Sequence, residues 1–296
     1  MRIRSVGVIG AGMMGQGIVR TAAQAGIDVV FKEVGRINVD MAMRSITQAF
    51  DREIERWAIT ASEKKAYLSR IQGTDTYDDI HDCDLVIEAV EEELEKKQEV
   101  FRDLDVILPE DRILITNTST LSVSEISQAT KRPDRVIGMH FMNPVKRLLV
   151  EVVRGFDTSD ETFAVARDFA EALGKTPIEV TEYPGYVTTR VVLPLLNEAM
   201  HVVMEGVATA EDVDKAMRLG FDLAVGPLQM ADRIGLDEIL MWLEHLMHEL
   251  GESKYRPSAL LRKLVRAGHL GVKTGKGIYN YDAEGNIVPT ARGGRP

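Results

Sequence analysis

The stretch that decides the fold is Ile3 to Ala23, IRSVGVIGAGMMGQGIVRTAA. Ile3 to Ile9 is a short apolar run that reads as a buried strand. It enters GAGMMG at Gly10 to Gly15, after which Ile18, Val19, Ala22 and Ala23 recur at helical spacing. Strand, tight turn and helix in that order open a dinucleotide-binding βαβ unit. Gly10 permits the turn, Gly12 lets backbone approach a pyrophosphate, and Gly15 lets helix and strand pack closely, while N–H groups at the helix start face the anion. A glycine motif alone is weak, and the next segment strengthens it. Gly26 ends the helix, Asp28 to Phe31 begins a second apolar strand, and Glu33 closes it, where an acid bonds the adenosine ribose hydroxyls. A carboxylate there repels a 2'-phosphate and favours NAD over NADP; Lys32 and Arg36 beside it leave NADP open. The bland reading of Glu33 is a solvated strand end.

Outward from this unit, 296 residues suit two domains of ordinary size. A hydrophobic share of 45% with 28% charged residues is that of a globular protein, and no apolar run approaches the length of a membrane span. The formal net charge of -10 argues against a nucleic-acid surface, which needs a basic stripe. Cys83, the single cysteine, excludes an internal disulfide framework and fits a reducing compartment. The first strand begins within the first residues and leaves no room for a leader, so the expectation is a cytoplasmic protein.

Asn38 to Arg70 reads as a helical hairpin inserted into the dinucleotide fold, broken near Ile59 to Ser62. Arg52 and Arg56 stand four apart on one helical face with Lys64 and Lys65 across the break. They offer cations to a ligand's phosphates, or form a solvated face with Glu53 and Glu55 interleaved. Asp84 to Val90, DLVIEAV, reads as the third strand, followed by an acidic helix start that carries Glu92 and Lys97. These lie near the carboxyl ends of the strands, where open parallel sheets bind ligands, though ordinary helix-surface charges are the simpler reading. Arg112 to Thr116 is the next strand. After it, NTSTLS brings Ser119 to the mouth of the sheet and Ser122 to the cap of a short helix.

In VIGMHFMNPVKRLLVEVV, Val136 to Val153, one short strand delivers His140 and, after a turn at Asn143 and Pro144, a second returns Glu151. Imidazole and carboxylate then share one sheet edge. Two readings stand: a base with its orienting acid, or a histidine hydrogen-bonded within a strand corner. Lys175 to Thr181 makes a last strand, Pro184 and Gly185 start a long helix toward Met204, and helical periodicity dominates to about Leu270. The domain boundary is expected near Tyr183, giving domains 1-183 and 184-296. The tail ARGGRP reads as disordered.

VGVIGAGMMGQGI, DCDLVIEAV, ITNTSTLS, KRPDRVIGMHFMNP with LVEVVRG, PGYVTTRVVLPLLNEA, EDVDKAMRLG, GPLQMADRIGLD and SKYRPSALLRKLVRAGHLGVKTGKGIYNY together resemble the 3-hydroxyacyl-CoA dehydrogenase family over nearly the whole chain. The likeness is strongest to its single-function bacterial 3-hydroxybutyryl-CoA dehydrogenase branch. It implies an α/β Rossmann-type doubly wound, mostly parallel sheet with the inserted hairpin, then an all-helical C-terminal domain that binds substrate and forms a homodimer. It further implies NAD as cofactor, an acyl-CoA thioester as substrate and no metal.

By the same resemblance, Gly10, Gly12, Met13, Met14 and Gly15 hold the pyrophosphate and Glu33 the adenosine ribose. Glu92, Lys97, Ser119, Asn143 and Lys273 match positions that contact NAD. Ser119 and Asn143 also face substrate, and Arg56 matches a CoA-contacting lysine, with Arg52 beside it. His140 matches the catalytic histidine and Glu151 the acid that orients it. An imidazole, with an ordinary pKa of about 6.5, suits proton exchange with a secondary alcohol near neutral pH. The reaction implied is reversible oxidation of (S)-3-hydroxyacyl-CoA to 3-ketoacyl-CoA.

Two departures stand out. Where the family carries Asn in PGFxxNR, PGYVTTR puts Thr189, which lacks the second polar group and the reach of an amide. The segment between Asn143 and Glu151 is also one residue shorter than the family's NPVPVMKLVEV. Rival readings are a superfamily dehydrogenase of a non-CoA hydroxy acid and a non-catalytic dinucleotide-binding protein.

Overall fold

The computed structural model describes residues 3–143, 145 and 147–288. The Pro144 half of the expected turn and the ARGGRP tail lie outside the described residues. The chain divides into two units, Met1–Tyr186 and Val187–Pro296.

The first unit alternates strands and helices. In order they are β1 (Ser5–Ile9), α1 (Met13–Gln24), β2 (Asp28–Lys32), α2 (Arg36–Glu55), α3 (Ala61–Leu68), β3 (Ile71–Thr74), β4 (Leu85–Glu88) and α4 (Leu94–Ile107). Then follow β5 (Ile113–Thr116), α5 (Val123–Ser127), β6 (Val136–Phe141), β7 (Leu149–Arg154), α6 (Asp160–Ala172) and β8 (Thr176–Thr181). The strands form one sheet in the order β3-β2-β1-β4-β5-β6-β7-β8. All neighbours pair in parallel except β6 and β7, which are antiparallel. Chain order reverses between β1 and β4, and the crevice beyond the strand ends at such a point is where open α/β sheets take ligands.

Both faces of the sheet are covered, so its central strands are apolar throughout, and the two-residue period sorts their side chains. Leu85 and Ile87 of β4 join Val6, Val8, Ile18 and Phe50 in one core layer. Val86 joins Phe101, Leu104 and Leu114 in the other. Glu88, two residues after Val86, therefore points to the α4 side with no apolar reason to be there. The expected hairpin is present as α2 and α3, with Thr60 and Glu63 forming a capping box at the start of α3. Ser122 caps α5 as its position suggests, its Oγ accepting the Glu125 N–H at 3.0 Å.

The second unit holds α7 (Thr188–Met204), α8 (Ala210–Gly220), α9 (Pro227–Ile234), α10 (Leu236–Leu250) and α11 (Ala259–Arg266). Leu193, Leu196 and Met200, with Leu236, Ile239, Leu243 and Leu246, recur every three or four residues and meet in its core. It is helical except for a short antiparallel hairpin, β9 (Asn280–Tyr281) with β10 (Ile287–Val288). The division falls three residues later than Tyr183 because the Tyr186 ring lies in the α4-side core of the first unit. Among the described residues, no helix is long and apolar enough to cross a membrane and no metal-holding cluster occurs.

Candidate active site

At the end of β1 the chain turns at Gly10, whose φ of +88° lies in the region reserved for glycine. A Cβ on Gly15 would stand 1.9 Å from the Gly10 carbonyl oxygen, so helix and turn meet only because it has none. Around Gly12, by contrast, nothing lies within 4 Å of where a Cβ would be. The protein's own packing makes no demand for glycine there, and the space before the N-terminus of α1 is left to a ligand. No acidic side chain stands in the first turn of α1, which suits an anion at its N–H groups. Met13 is exposed beside this space, and Met14 packs onto the core below.

One residue past β2, Glu33 reaches back to the turn. Its Oε1 accepts the Ala11 N–H at 2.5 Å, which holds the carboxylate where a ribose diol would meet it. The two cations that left a 2'-phosphate open are engaged elsewhere: Arg36 pairs with Asp40 at 3.4 Å, and the Lys32 ammonium lies 4.2 Å from the Tyr77 ring centre. The residues present fit NAD.

Beyond β4 and β5, three charged side chains form a cluster. Lys97, at the start of α4, is wholly buried, its Nζ donating to Glu88 Oε1 at 2.7 Å and lying 3.4 Å from Glu92 Oε2. Glu88 also accepts from Thr116 Oγ1 at 2.7 Å and from the Val90 N–H at 2.7 Å. Glu92 Oε1 draws in the loop after β5, accepting from Thr118 Oγ1 at 2.6 Å, the Ser119 N–H at 2.8 Å, Ser119 Oγ at 3.0 Å and the Thr120 N–H at 3.2 Å. Burial raises the pKa of Glu88 against the pull of Lys97. At Glu92 burial also acts upward, but the Lys97 charge and the Thr118 and Ser119 donors outweigh it, and the net direction is down.

The antiparallel pairing of β6 and β7 sets His140 directly opposite Glu151. His140 Nδ1 lies 2.6 Å from Glu151 Oε2, so the short bond follows from register rather than from the intervening loop, and the missing residue of that loop leaves it intact. Glu151 has no exposed surface while the imidazole keeps 10%. Of the two, only His140 can meet a ligand. Behind it stands Tyr186, 5.8 Å away ring to ring, which donates from its hydroxyl to the Leu121 carbonyl at 2.9 Å and holds a φ of +47°. A non-glycine residue in that region carries strain that the surrounding structure must sustain. Asn117 Oδ1 accepts the Phe141 N–H at 3.2 Å and ties the Ser119 loop to β6.

The first unit thus gathers Gly10, Gly12, Gly15, Glu33, Glu92, Ser119, His140 and Glu151 at the carboxyl-end rim of its sheet or in strands leading to it. Asn143 is exposed just beyond β6. Arg52 and Arg56 lie exposed at the far end of α2, while Lys64 pairs with Asp51 at 2.5 Å. Thr189 is buried in the first turn of α7, and Lys273 Nζ pairs with Asp237 at 2.7 Å and Glu238 at 3.5 Å, both within the second unit. Sequence reasoning passed over Glu88, Asn117 and Tyr186. For Glu88 a signal was available: an acid within the apolar strand DLVIEAV is a buried charge that needs a partner. For Tyr186 there was none, because its backbone conformation depends on neighbours distant in sequence.

The sequence model of the 3-hydroxyacyl-CoA dehydrogenase NAD binding domain matches residues 5–183, and that of the 3-hydroxyacyl-CoA dehydrogenase C-terminal domain matches residues 185–281. A probable 3-hydroxybutyryl-CoA dehydrogenase of Bacillus subtilis is 46% identical over 283 residues, covering 95% of this chain and 99% of that protein. The 3-hydroxybutyryl-CoA dehydrogenase of Bradyrhizobium diazoefficiens is 43% identical over 280 residues, with 94% and 96% covered. Among solved structures, the (S)-3-hydroxybutyryl-CoA dehydrogenase of Ralstonia eutropha superposes with a TM-score of 0.89 at 42% identity, covering 95% of this chain and all of that one.

Proposed function

This chain belongs to the 3-hydroxyacyl-CoA dehydrogenase family and carries out NAD-dependent oxidation of a 3-hydroxyacyl-CoA, and we propose that its substrate is (S)-3-hydroxybutyryl-CoA or a similarly short ester, with His140 as general base and acid. The observation that carries the catalytic assignment is the buried 2.6 Å contact between His140 Nδ1 and Glu151 Oε2.

When bound, NAD supplies the acceptor for the hydride that leaves the carbinol carbon. The chain handles the proton. With Nδ1–H donated to Glu151, His140 Nε2 keeps its lone pair and takes the substrate hydroxyl proton; Glu151 then lies against the imidazolium charge. In the reverse direction Nε2 returns that proton to the oxygen. Ser119 offers its hydroxyl to the substrate oxygen, and Glu92 fixes the loop that carries it. Gly10, Gly12, Met13, Met14 and Gly15 receive the pyrophosphate, Glu33 the ribose, and Asn143 and Lys273 further parts of the cofactor. Arg52 and Arg56 receive the phosphates of CoA, and Thr189 stands where the family uses an asparagine toward the substrate.

Purified chain mixed with NADH and acetoacetyl-CoA should lose absorbance at the reduced nicotinamide band, and free 3-keto acids should leave it unchanged. Equal turnover of the free acids would replace the thioester reading with the non-CoA one, and cofactor binding without turnover of any ester would remove the enzymatic assignment. We further propose a homodimer through the second unit, where Val191, Val207, Leu219 and Phe221 are all exposed. A monomer mass by light scattering would refute it. A reducing compartment, the cytoplasm, suits the single buried thiol of Cys83, pushed up to about 12 by burial. Thiol labelling of intact cells that found Cys83 oxidised would count against that placement.

A further inference from the structure

Gly185 and Tyr186 are two successive residues in left-handed backbone, with φ of +77° and +47°. For glycine the conformation is free of crowding; for tyrosine it sets Cβ against the following carbonyl, and such strain persists only where the surroundings hold it. The turn closes through the Tyr186 N–H on the Tyr183 carbonyl at 2.9 Å and carries the ring back into the core of the first unit, where the residue is 4% exposed. The family pattern PGFxxNR has a phenylalanine at this place, so PGYVTTR adds one hydroxyl to a buried ring. That hydroxyl is partnered, donating to the Leu121 carbonyl at 2.9 Å. Burial, with the charges of Glu92 and Glu182, holds the phenol well above its ordinary pKa, so it stays a donor.

Each end of this side chain meets a different part of the site. The ring stands beside the His140 imidazole, 5.8 Å centre to centre and tilted by 54°. The bond from Nδ1 to Glu151 fixes one edge of the imidazole, yet a hydrogen bond tolerates a broad range of tilt, and a packed neighbouring ring removes that freedom at Nε2. The hydroxyl holds the far end of the loop after β5. Glu92 gathers the donors of Thr118, Ser119 and Thr120, the Leu121 N–H returns to Thr118 Oγ1 at 3.1 Å, and the Leu121 carbonyl goes to Tyr186. We propose that Tyr186 is a positioning residue for the proton transfer: its ring backs the imidazole, its hydroxyl anchors the loop that carries Ser119, and one rigid side chain thereby sets the distance between the two groups that address the substrate oxygen. The strained backbone is what aims it at both. The inference rests on the roles proposed above for His140 and Ser119.

Two variants of the full chain separate the two contacts. Tyr186→Phe keeps the ring and removes the anchor; Tyr186→Leu removes both. With NADH saturating, kcat for acetoacetyl-CoA should fall about twofold to tenfold in the first, the worth of one neutral hydrogen bond. In the second it should fall about tenfold to hundredfold, as when a reacting group is misplaced on the order of 1 Å. NADH affinity, followed by fluorescence, should hold in both. The solvent deuterium isotope effect on kcat should rise from parent to Phe to Leu as proton transfer becomes the slower step, a change that packing alone would not bring. Hydrogen exchange at the amides of Ser119, Thr120 and Leu121 should speed up in Tyr186→Phe while the rest of the sheet keeps its protection. Parent values of kcat and isotope effect in both variants, with only the thermal midpoint lowered, would reduce Tyr186 to a core residue and overturn the proposal; a loss confined to NADH affinity would overturn it equally. If Tyr186→Leu does not fold, Tyr186→Phe, which keeps nearly all of the volume, decides through kcat, isotope effect and loop exchange. Absence of turnover by the unmodified chain would defeat the functional reading alone, since loop exchange in Tyr186→Phe still reports the anchor.

Discussion

The two units bury carboxylates in opposite ways. In the first, Glu88, Glu92 and Glu151 sit against ionisable partners, Lys97 and His140, and each group of contacts leads to a side chain with some exposed surface. In the second, Asp232 accepts the N–H groups of Ile278 and Tyr279 and the Tyr281 hydroxyl, each at 2.9 Å. Asp214 accepts the N–H groups of Leu228 and Gln229 at 2.8 and 2.9 Å, at the start of α9, and the Tyr279 hydroxyl at 3.0 Å. Among the described residues these two aspartates bond only to groups that stay neutral. A buried carboxylate that titratable groups surround can trade protons or move charge; one saturated by amides and phenols can only hold backbone in place. The motifs EDVDKAMRLG, GPLQMAD and KTGKGIYNY are thus a brace that ties α8, α9 and the terminal hairpin together within the helical unit.

The contrast is broken if a change in the first unit costs stability instead of rate, or one in the second costs rate instead of stability. The largest effect is expected from His140→Gln: a loss in kcat of about 10²–10⁴ with NADH binding and the thermal midpoint kept. Near-native turnover, measured by NADH absorbance, would end the base assignment. Glu151→Gln should lower kcat by about tenfold, since the amide still accepts the Nδ1–H but lacks the charge that makes this bond strong; turnover equal to the parent's, by NADH absorbance, would separate Glu151 from His140.

In the second unit, Gly277→Ala would set a Cβ 2.1 Å from Asp232 Oδ1. Urea unfolding should show about 1–3 kcal/mol lost to overpacking, and a variant as stable as the parent would mean that the brace is not under tight packing. Asp232→Asn sharpens the contrast at a smaller scale, with about 1–3 kcal/mol for the donor left facing an amide N–H₂ and part of that returned by removing a buried charge. Burial raises the Asp232 pKa, and its backbone and Tyr281 donors offset this only in part. A carboxyl whose folded pKa is raised contributes stability below its unfolded pKa and loses it as pH rises through the folded one. The parent's advantage over Asp232→Asn should therefore be greatest at acid pH and shrink toward neutrality; a constant gap from one end to the other would show that folding does not raise the Asp232 pKa.

Local chemistry made much of this readable in advance. The apolar runs of β1 and β4, the helical spacing of α7 and α10, and the Ser122 cap are properties of neighbouring residues, and each is found where the sequence places it. His140 and Glu151 were legible as a pair because consecutive strands carry them, but their register was not readable across the shortened loop and is fixed by the pairing of β6 with β7. The reach of Glu33 back to the Ala11 N–H was foreshadowed by its place at a strand end, though not the bond itself. The direction of Lys97 was not readable: from its spacing it belongs on a helix surface, and it is buried because Glu88 arrives from a strand on the same face of the sheet. Tyr186 and Gly277 are of the same kind, one held in a left-handed conformation by groups far along the chain, the other small because an aspartate 45 residues earlier passes against it.

By itself the sequence determined most of the strands and helices, though not β3 or α6, together with the glycine turn for a dinucleotide, the acid at the end of β2 and the histidine–glutamate pair, because each depends on interactions a few residues or one turn apart. Only the tertiary structure decided which buried carboxylates face ionisable side chains and which face amides and phenols, since at these distances the partners of a carboxylate come from separate elements. Sheet register and helix packing alone bring those elements together, and the chemistry of the group follows from its partners.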